Sequence, residues 1–155
     1  GWYAKRLEAA GGNVLMLIDP TASGDLLSTS FFRRFLLPAY QKIREMVSLP
    51  IILHICGDTN HFLSTLPETG FEGFSFEGPT VKVKAAREAM GEKIALVGNI
   101  STTDTLLLGD PAKVEEEVKL AIQEGVDLVA PSCGIPLHAP LVNLRAMVEA
   151  TEKYG

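Results

Sequence analysis

The sequence predicts an α/β chain built on a parallel sheet of about five strands. Short apolar runs bounded by Gly, Pro or Asp recur along it without polar alternation, as in strands buried on both faces. Between them lie segments with apolar residues at helical spacing. No G-x-G-x-x-G follows the first run, so a dinucleotide-binding sheet is not indicated. A closed (β/α)8 barrel needs eight strands and roughly 200 residues or more. The 155 residues are therefore expected to form a single domain, 1–155, a little over half a barrel. No linker or low-complexity segment interrupts it.

The elements follow in order. Residues 2–10 read as a leading helix ending at Gly11-Gly12. Asn13 to Ile18 is the first strand, stopped by Asp19-Pro20. Residues 30–46 read as a helix with Phe32, Phe35, Ala39, Ile43 and Met46 inward, and Pro38 is expected to kink or split it. Pro50 to Cys56 is the second strand. Gly73 to Glu77 is the third and the weakest, and residues 80–90 are a short helix closed by Gly91. Lys93 to Ile100 is the fourth strand. Residues 110–125 are the clearest helix: Asp110 caps, Pro111 suits the first turn, and Val114, Val118, Ala121 and Ile122 form the apolar stripe. Its acidic run Glu115–Glu117 reads as a solvated helix start. Val126 to Pro131 is the fifth strand, and residues 139–153 are a last helix with Leu141, Leu144 and Val148 inward.

Composition narrows the function. A net charge of −5 and the lack of any Lys/Arg cluster argue against a nucleic-acid surface. No apolar run approaches the ~20 residues of a membrane span, and the first ten residues, with Lys5, Arg6 and Glu8, do not read as a signal peptide. Two cysteines make no disulfide framework, so a cytoplasmic chain with free thiols or thiolate ligands is expected.

The stretch IILHICGDTN (51–60) carries the chemistry. Side chains two apart on a strand point the same way, so His54 and Cys56 share a face at the carboxyl end of the second strand. Parallel α/β folds place their active sites at that end. Cys133 lies just past the fifth strand at the same rim. One nitrogen and two sulfurs suit zinc, and three protein ligands leave a fourth position open, as in catalytic sites. Glu77 closes the third strand at this rim. Its carboxylate could fill the fourth position until substrate arrives, or act as a base. The bland alternative is that His54 and the cysteines are buried core residues.

HICGDT, LVGNIS and APSCGIPLHAPLVNLRAMVEA, with LEAAGGNVLMLIDPTAS near the start, resemble the carboxyl-terminal half of the uroporphyrinogen decarboxylase superfamily. They are most similar to its zinc-dependent branch, the methylcobamide:coenzyme M methyltransferases. That branch carries His-x-Cys and a distant Cys, matched by His54, Cys56 and Cys133; the decarboxylases themselves use no metal and lack the cysteines. The resemblance covers essentially the whole chain and implies a TIM-type barrel. It also implies zinc, a small thiol such as coenzyme M, and a methylated corrinoid on a partner protein as methyl donor. In the family a glutamate placed like Glu77 occupies the metal until the thiol comes. The family's amino-terminal half has no counterpart here, so the expectation is a fragment, or a chain that dimerises to cover its sheet edges.

Other residues carry weaker expectations. Asp19 and Asn99 end strands at the active rim and are candidates to touch substrate, or else cap the segments that follow. Asp58 and Thr59 are expected to cap the helix after the His-x-Cys motif, His61 to be a surface residue, and Asn143 to brace the Cys133 loop. Two rival functions remain: decarboxylation of a tetrapyrrole, which needs basic groups for several carboxylates, and a non-catalytic half-barrel that binds zinc or a corrinoid partner.

Overall fold

Five parallel strands pair in the order in which they occur in the chain: β1 (Leu15–Ile18), β2 (Ile51–Ile55), β3 (Gly73–Phe76), β4 (Ala95–Ile100) and β5 (Leu128–Pro131). The computed structural model describes residues 1–155. The helices are α1 (Trp2–Ala9), α2 (Thr29–Phe31), α3 (Leu37–Met46), α4 (Val83–Met90), α5 (Pro111–Gln123) and α6 (Leu141–Tyr154). Sequential order with parallel pairing is the topology of a (β/α) barrel wall. The wall is open, with β1 and β5 as its edges.

Alternation divides the strand residues between two faces. Leu15, Ile51, Leu53, Ile55, Phe74, Phe76, Leu96 and Ile100 are buried in one core with Val83, Ala86, Val114 and Val118 of the helices. The other face lies in rows across the sheet. One row is Met16, Ile52, Gly73 and Ala95; the next is Ile18, His54, Ser75, Val97 and Leu128. The middle of these rows is covered, but Met16, Ile18 and Leu128 at the edges are more than half exposed. The third strand, the weakest in sequence, is buried along its whole length.

The cap of α5 forms as expected: Asp110 accepts the amide of Lys113 at 2.9 Å. Two helical stripes differ from expectation. A π-helical turn, Phe32–Leu36, joins α2 to α3. Pro38 has no amide to donate and crowds the carbonyl four residues back, and the wider turn ahead of it adds a residue. The inward set becomes Phe32, Leu37 and Tyr40, while Phe35 and Met46 are largely exposed and Ala39 faces outward. In α6 the buried residues are Asn143 and Ala150, with Leu144 and Met147 packed on the core; Leu141 and Val148 face out. Asn143 donates to the carbonyls of Leu106 and Gly109, ahead of α5, and so braces that loop instead of the Cys133 loop. The acidic run is not wholly solvated either, since Glu117 accepts the amide of Ser101 at 2.9 Å.

The amino ends of the strands are tied by arginines. Arg87 of α4 donates to the carbonyls of Gly91, Ile94 and Gly125 and pairs with Asp127, which also accepts the amide of Leu96. Arg44 of α3 likewise donates to the carbonyls of Val47 and Leu49 and pairs with Glu72.

Candidate metal centre

The carboxyl rim is where β2, β3 and β5 release their chain into loops. His54 is buried on the open face of β2, and Cys56 follows on the same face. Pairing continues past β5, where the amide of Ser132 donates to the carbonyl of Ile100 at 2.8 Å and Ser132 is itself buried. That anchor sets Cys133 opposite Cys56. The Cys56 Sγ lies 3.3 Å from His54 Nε2 and 3.6 Å from Cys133 Sγ. All three donor atoms lie within 4.8 Å of one another.

These residues fit zinc. Tetrahedral bonds of about 2.3 Å to sulfur and 2.0–2.1 Å to nitrogen imply ligand separations of roughly 3.5–3.8 Å; two of the three pairs, at 3.3 and 3.6 Å, are close to that, and the third lies within 4.8 Å. Both cysteines are free thiols. Ser75, buried on β3, sits with its Oγ 3.0 Å from His54 Nδ1, the nitrogen turned away from the cluster.

Glu77 stands at the edge of the cluster, where its Oε2 accepts the amide of Gly57 at 2.6 Å. Its charge reaches both neighbours. Burial lowers the proton affinity of His54, and the Glu77 charge opposes that shift. Burial, then the hydrogen bond and charge of Cys133, then the Glu77 charge push the Cys56 thiol up to about 11. The metal-free centre therefore keeps the Cys56 thiol protonated at neutral pH. A divalent cation reverses that balance, because its charge favours thiolate.

A clasp holds the turn after Cys56. Gly24 donates its amide to the carbonyl of Asp58 at 2.8 Å. Asp25 Oδ2 accepts the amide of Asp58 at 3.0 Å and the hydroxyl of Ser23 at 3.1 Å. Gly57 has φ +74°, and a Cβ there would fall on the Asp25 carboxylate and the Ser23 hydroxyl. Asp58 accepts the amide of Asn60 at 2.8 Å at the start of the 3-10 helix Asn60–Thr69, while Thr59, at the cap position itself, makes no side-chain cap bond and its hydroxyl is buried without a partner. His61 is exposed and bonds the carbonyl of Leu27 at 3.1 Å.

Asp19 and Asn99 do not join the cluster. Asp19 accepts the amide and hydroxyl of Thr21 on one oxygen and the Tyr40 hydroxyl, at 2.9 Å, on the other. It caps the turn Pro20–Ala22 and ties it to α3. Asn99 donates its side-chain amide to the carbonyl of Val81 at 3.2 Å and lines a cleft between α4 and α5 with Gly78 and Glu117. The cavity beside His54, about 300 Å³, is lined instead by Met16, Ile18, Ser75, Ala130, Pro131, Cys133 and Gly134. Ser75 could have been found from the sequence, because in GFSFE it shares a face with Glu77. Ser23 and Asp25 gave no local sign, since SGD reads only as a loop.

Fold and donor set together define the class: a TIM-barrel-type α/β wall carrying a possible Cys2His metal site at its carboxyl rim. The chain belongs to the uroporphyrinogen decarboxylase (URO-D) family, whose profile matches residues 2–154. It is 41% identical over 152 residues to the methylcobamide:CoM methyltransferase MtaA of Methanosarcina barkeri, covering 98% of this chain and 45% of that protein. It is 36% identical over 151 residues to the methylated-thiol–coenzyme M methyltransferase of Methanosarcina mazei, covering 97% of this chain and 41% of that one. The solved structure of a methyltransferase from Methanosarcina mazei superposes with a TM-score of 0.94 at 40% identity, covering 99% of this chain and 45% of the other. The chain thus spans less than half the length of these relatives. No helix is long and apolar enough to cross a membrane.

Proposed function

We propose that the chain is the zinc-bearing part of a methyltransferase that moves a methyl group from a methylated corrinoid, carried on a partner protein, to a small thiol such as coenzyme M. The convergence of His54 Nε2 and the sulfurs of Cys56 and Cys133 carries this reading. The likeness to methyltransferases over nearly the whole chain supports it. Residues 1–155 act as one unit, the carboxyl-terminal portion of a barrel whose remaining strands complete the enzyme.

His54, Cys56 and Cys133 would hold the metal, whose positive charge would favour the thiolate form of a bound thiol at neutral pH. Glu77, fixed by the Gly57 amide, stands where it can accept the proton the thiol gives up. It can also occupy the free position until the thiol arrives. A methylated corrinoid would supply the methyl group, and the residues at this rim would hold the thiol sulfur in line to receive it. Proximity and orientation contribute most here, because the step joins two separately bound reactants. Asp19 and Asn99, whose side chains are bonded to Thr21 and Tyr40 and to Val81, would act on the rim only indirectly, by holding the segments that follow β1 and β3.

Metal content of chain purified without added metal, beside Cys133→Ser, tests the reading. About one zinc per chain is expected for a three-ligand site, lost in the variant. The zinc-loaded chain, joined by the complementary barrel half, should methylate 2-mercaptoethanesulfonate from methylcobalamin. Absence of zinc from the parent, with both cysteines freely alkylated, sinks the proposal. A second reading follows from the open face bearing Met16, Ile18 and Leu128: the chain alone holds zinc without turnover. Zinc binding without methylation, restored by the other half, distinguishes the two.

A further inference from the structure

The partner of His54 Nδ1 is a hydroxyl, and this choice has consequences for how the site is loaded. Ser75 is 2% exposed, with its Oγ 3.0 Å from Nδ1. On the other side of the ring, Nε2 lies 3.3 Å from Cys56 Sγ. A neutral imidazole carries one proton on one of its two nitrogens. The 3.3 Å contact allows a proton on Nε2 to be directed at the Cys56 sulfur. Nδ1 is then an acceptor and needs a donor. For Nε2 to ligate a cation its lone pair must be free, so the proton must sit on Nδ1, which then needs an acceptor. A hydroxyl serves in both arrangements because it donates and accepts. A carboxylate would favour only the second, and a methyl group would satisfy neither. Leaving either nitrogen unpartnered at this depth carries a desolvation cost.

We infer that Ser75 is a positioning residue for the metal centre: its hydroxyl reverses from donor to acceptor as His54 changes tautomer, so that Nε2 is presented to the incoming cation with no buried group left unpaired. The inference rests on the proposed zinc reading. Exchange of the imidazole proton with solvent balances the change, one leaving Nε2 and one joining Nδ1. Two further constraints keep the ring in place. His54 is registered against Ser75 in the β2–β3 pairing, and Ile55 and Leu53 on either side are locked in the core. The hydroxyl therefore has only to rotate, while the ring stays where it is.

Two measurements test it, neither depending on turnover. Imidazole nitrogen shifts, read from a long-range proton–nitrogen spectrum, report the His54 tautomer with and without zinc. Competition with a chromophoric chelator reports zinc affinity. The parent is expected in the Nε2–H form without metal and the Nδ1–H form with zinc. Ser75→Ala should weaken zinc binding by about 10- to 100-fold, the usual effect of removing a partner behind a metal-ligating histidine. Ser75→Thr should restore it. Should the alanine variant not fold, Ser75→Thr against Ser75→Val compares equal shapes with and without the hydroxyl. Parent-like affinity in the alanine or valine variant overturns the inference while leaving the zinc site intact. So does an Nδ1–H tautomer already present before metal is added. A parent that binds no zinc overturns both the inference and the reading beneath it.

Discussion

The amide of Gly57 donates to Oε2 of Glu77 at 2.6 Å, so the residue after Cys56 orients the carboxylate beside the cluster. One short turn thereby couples a sulfur ligand on β2 to an acid at the end of β3. The turn depends on φ +74° at Gly57, a region that costs a residue with a Cβ roughly 1–2 kcal/mol. It also depends on open space that Asp25 and Ser23 would deny to a side chain.

Gly57→Ala is therefore expected to lower stability by about 2 kcal/mol or more, from the left-handed φ plus the collision. It should also weaken zinc uptake, because Cys56 and the Glu77 acceptor shift together. Urea unfolding and metal content on one preparation check this. Parent stability in the variant would show that the clasp is not built as described. Asp25→Asn keeps the shape but weakens the acceptor, and should give a smaller loss in the same direction.

The strands and the better helices were legible because their signals are local. Asp110-Pro111 ahead of a spaced apolar stripe needs only one turn of chain to be read. His54, Cys56 and Cys133 were legible for a different reason: strand alternation and the rule that parallel sheets work at their carboxyl ends brought distant residues to one rim. What escaped was set by contacts between segments. The π-helical turn before Pro38 rotates the face of α3, and no periodicity count reveals an inserted residue. Apolar residues lie on both sides of α6, so spacing alone could not choose between Leu141 and Met147. Ser23 and Asp25 act on Gly57 from another loop, and sequence separation hides that.

Arg87 offers a test of stability apart from the site. It gathers three carbonyls and Asp127 at the amino ends of β4 and β5, away from the cluster. Arg87→Ala leaves these acceptors to water or to nothing, and should cost about 2–3 kcal/mol on the scale of hydrogen bonds to a charged group. Zinc content per folded chain should stay at the parent value. Loss of zinc along with stability would mean that the two ends of the sheet are not independent.

The open edges make a prediction about association. Met16 on β1 is 53% exposed and Leu128 on β5 is 51% exposed, each beside unpaired strand backbone. Exposed apolar edges invite pairing with another chain. The 155-residue chain is expected to associate in a concentration-dependent way. Met16→Lys with Leu128→Lys should shift it toward monomer without loss of helix content. Sedimentation velocity decides between these. An unchanged distribution would place the contact elsewhere, for example at Trp2 and Tyr3, which are also exposed.

The pH dependence of the metal-free chain follows from His54 and Cys56 with opposite signs. Burial holds the folded His54 below its usual value near 6.5, so as pH falls through that value the unfolded chain takes up a proton that the folded chain refuses. Stability present above about 6.5 is lost on acidification. The Cys56 thiol, raised from 9.0 to about 11, keeps its proton in the folded chain after the unfolded chain has released it. Stability present below 9 is lost as pH climbs toward 11. A plateau between these limbs is expected in chelator-treated protein, measured as urea midpoint against pH. His54→Gln should shallow the acid limb and Cys56→Ser the alkaline one. Glu77→Gln separates the causes, because the Glu77 charge favours the protonated form of both neighbours. Without it the folded His54 resists protonation more, which steepens the acid limb, while the Cys56 thiol is raised less, which shortens the alkaline limb. Both limbs moving the same way in Glu77→Gln would show that the carboxylate does not reach the two residues as the geometry has it.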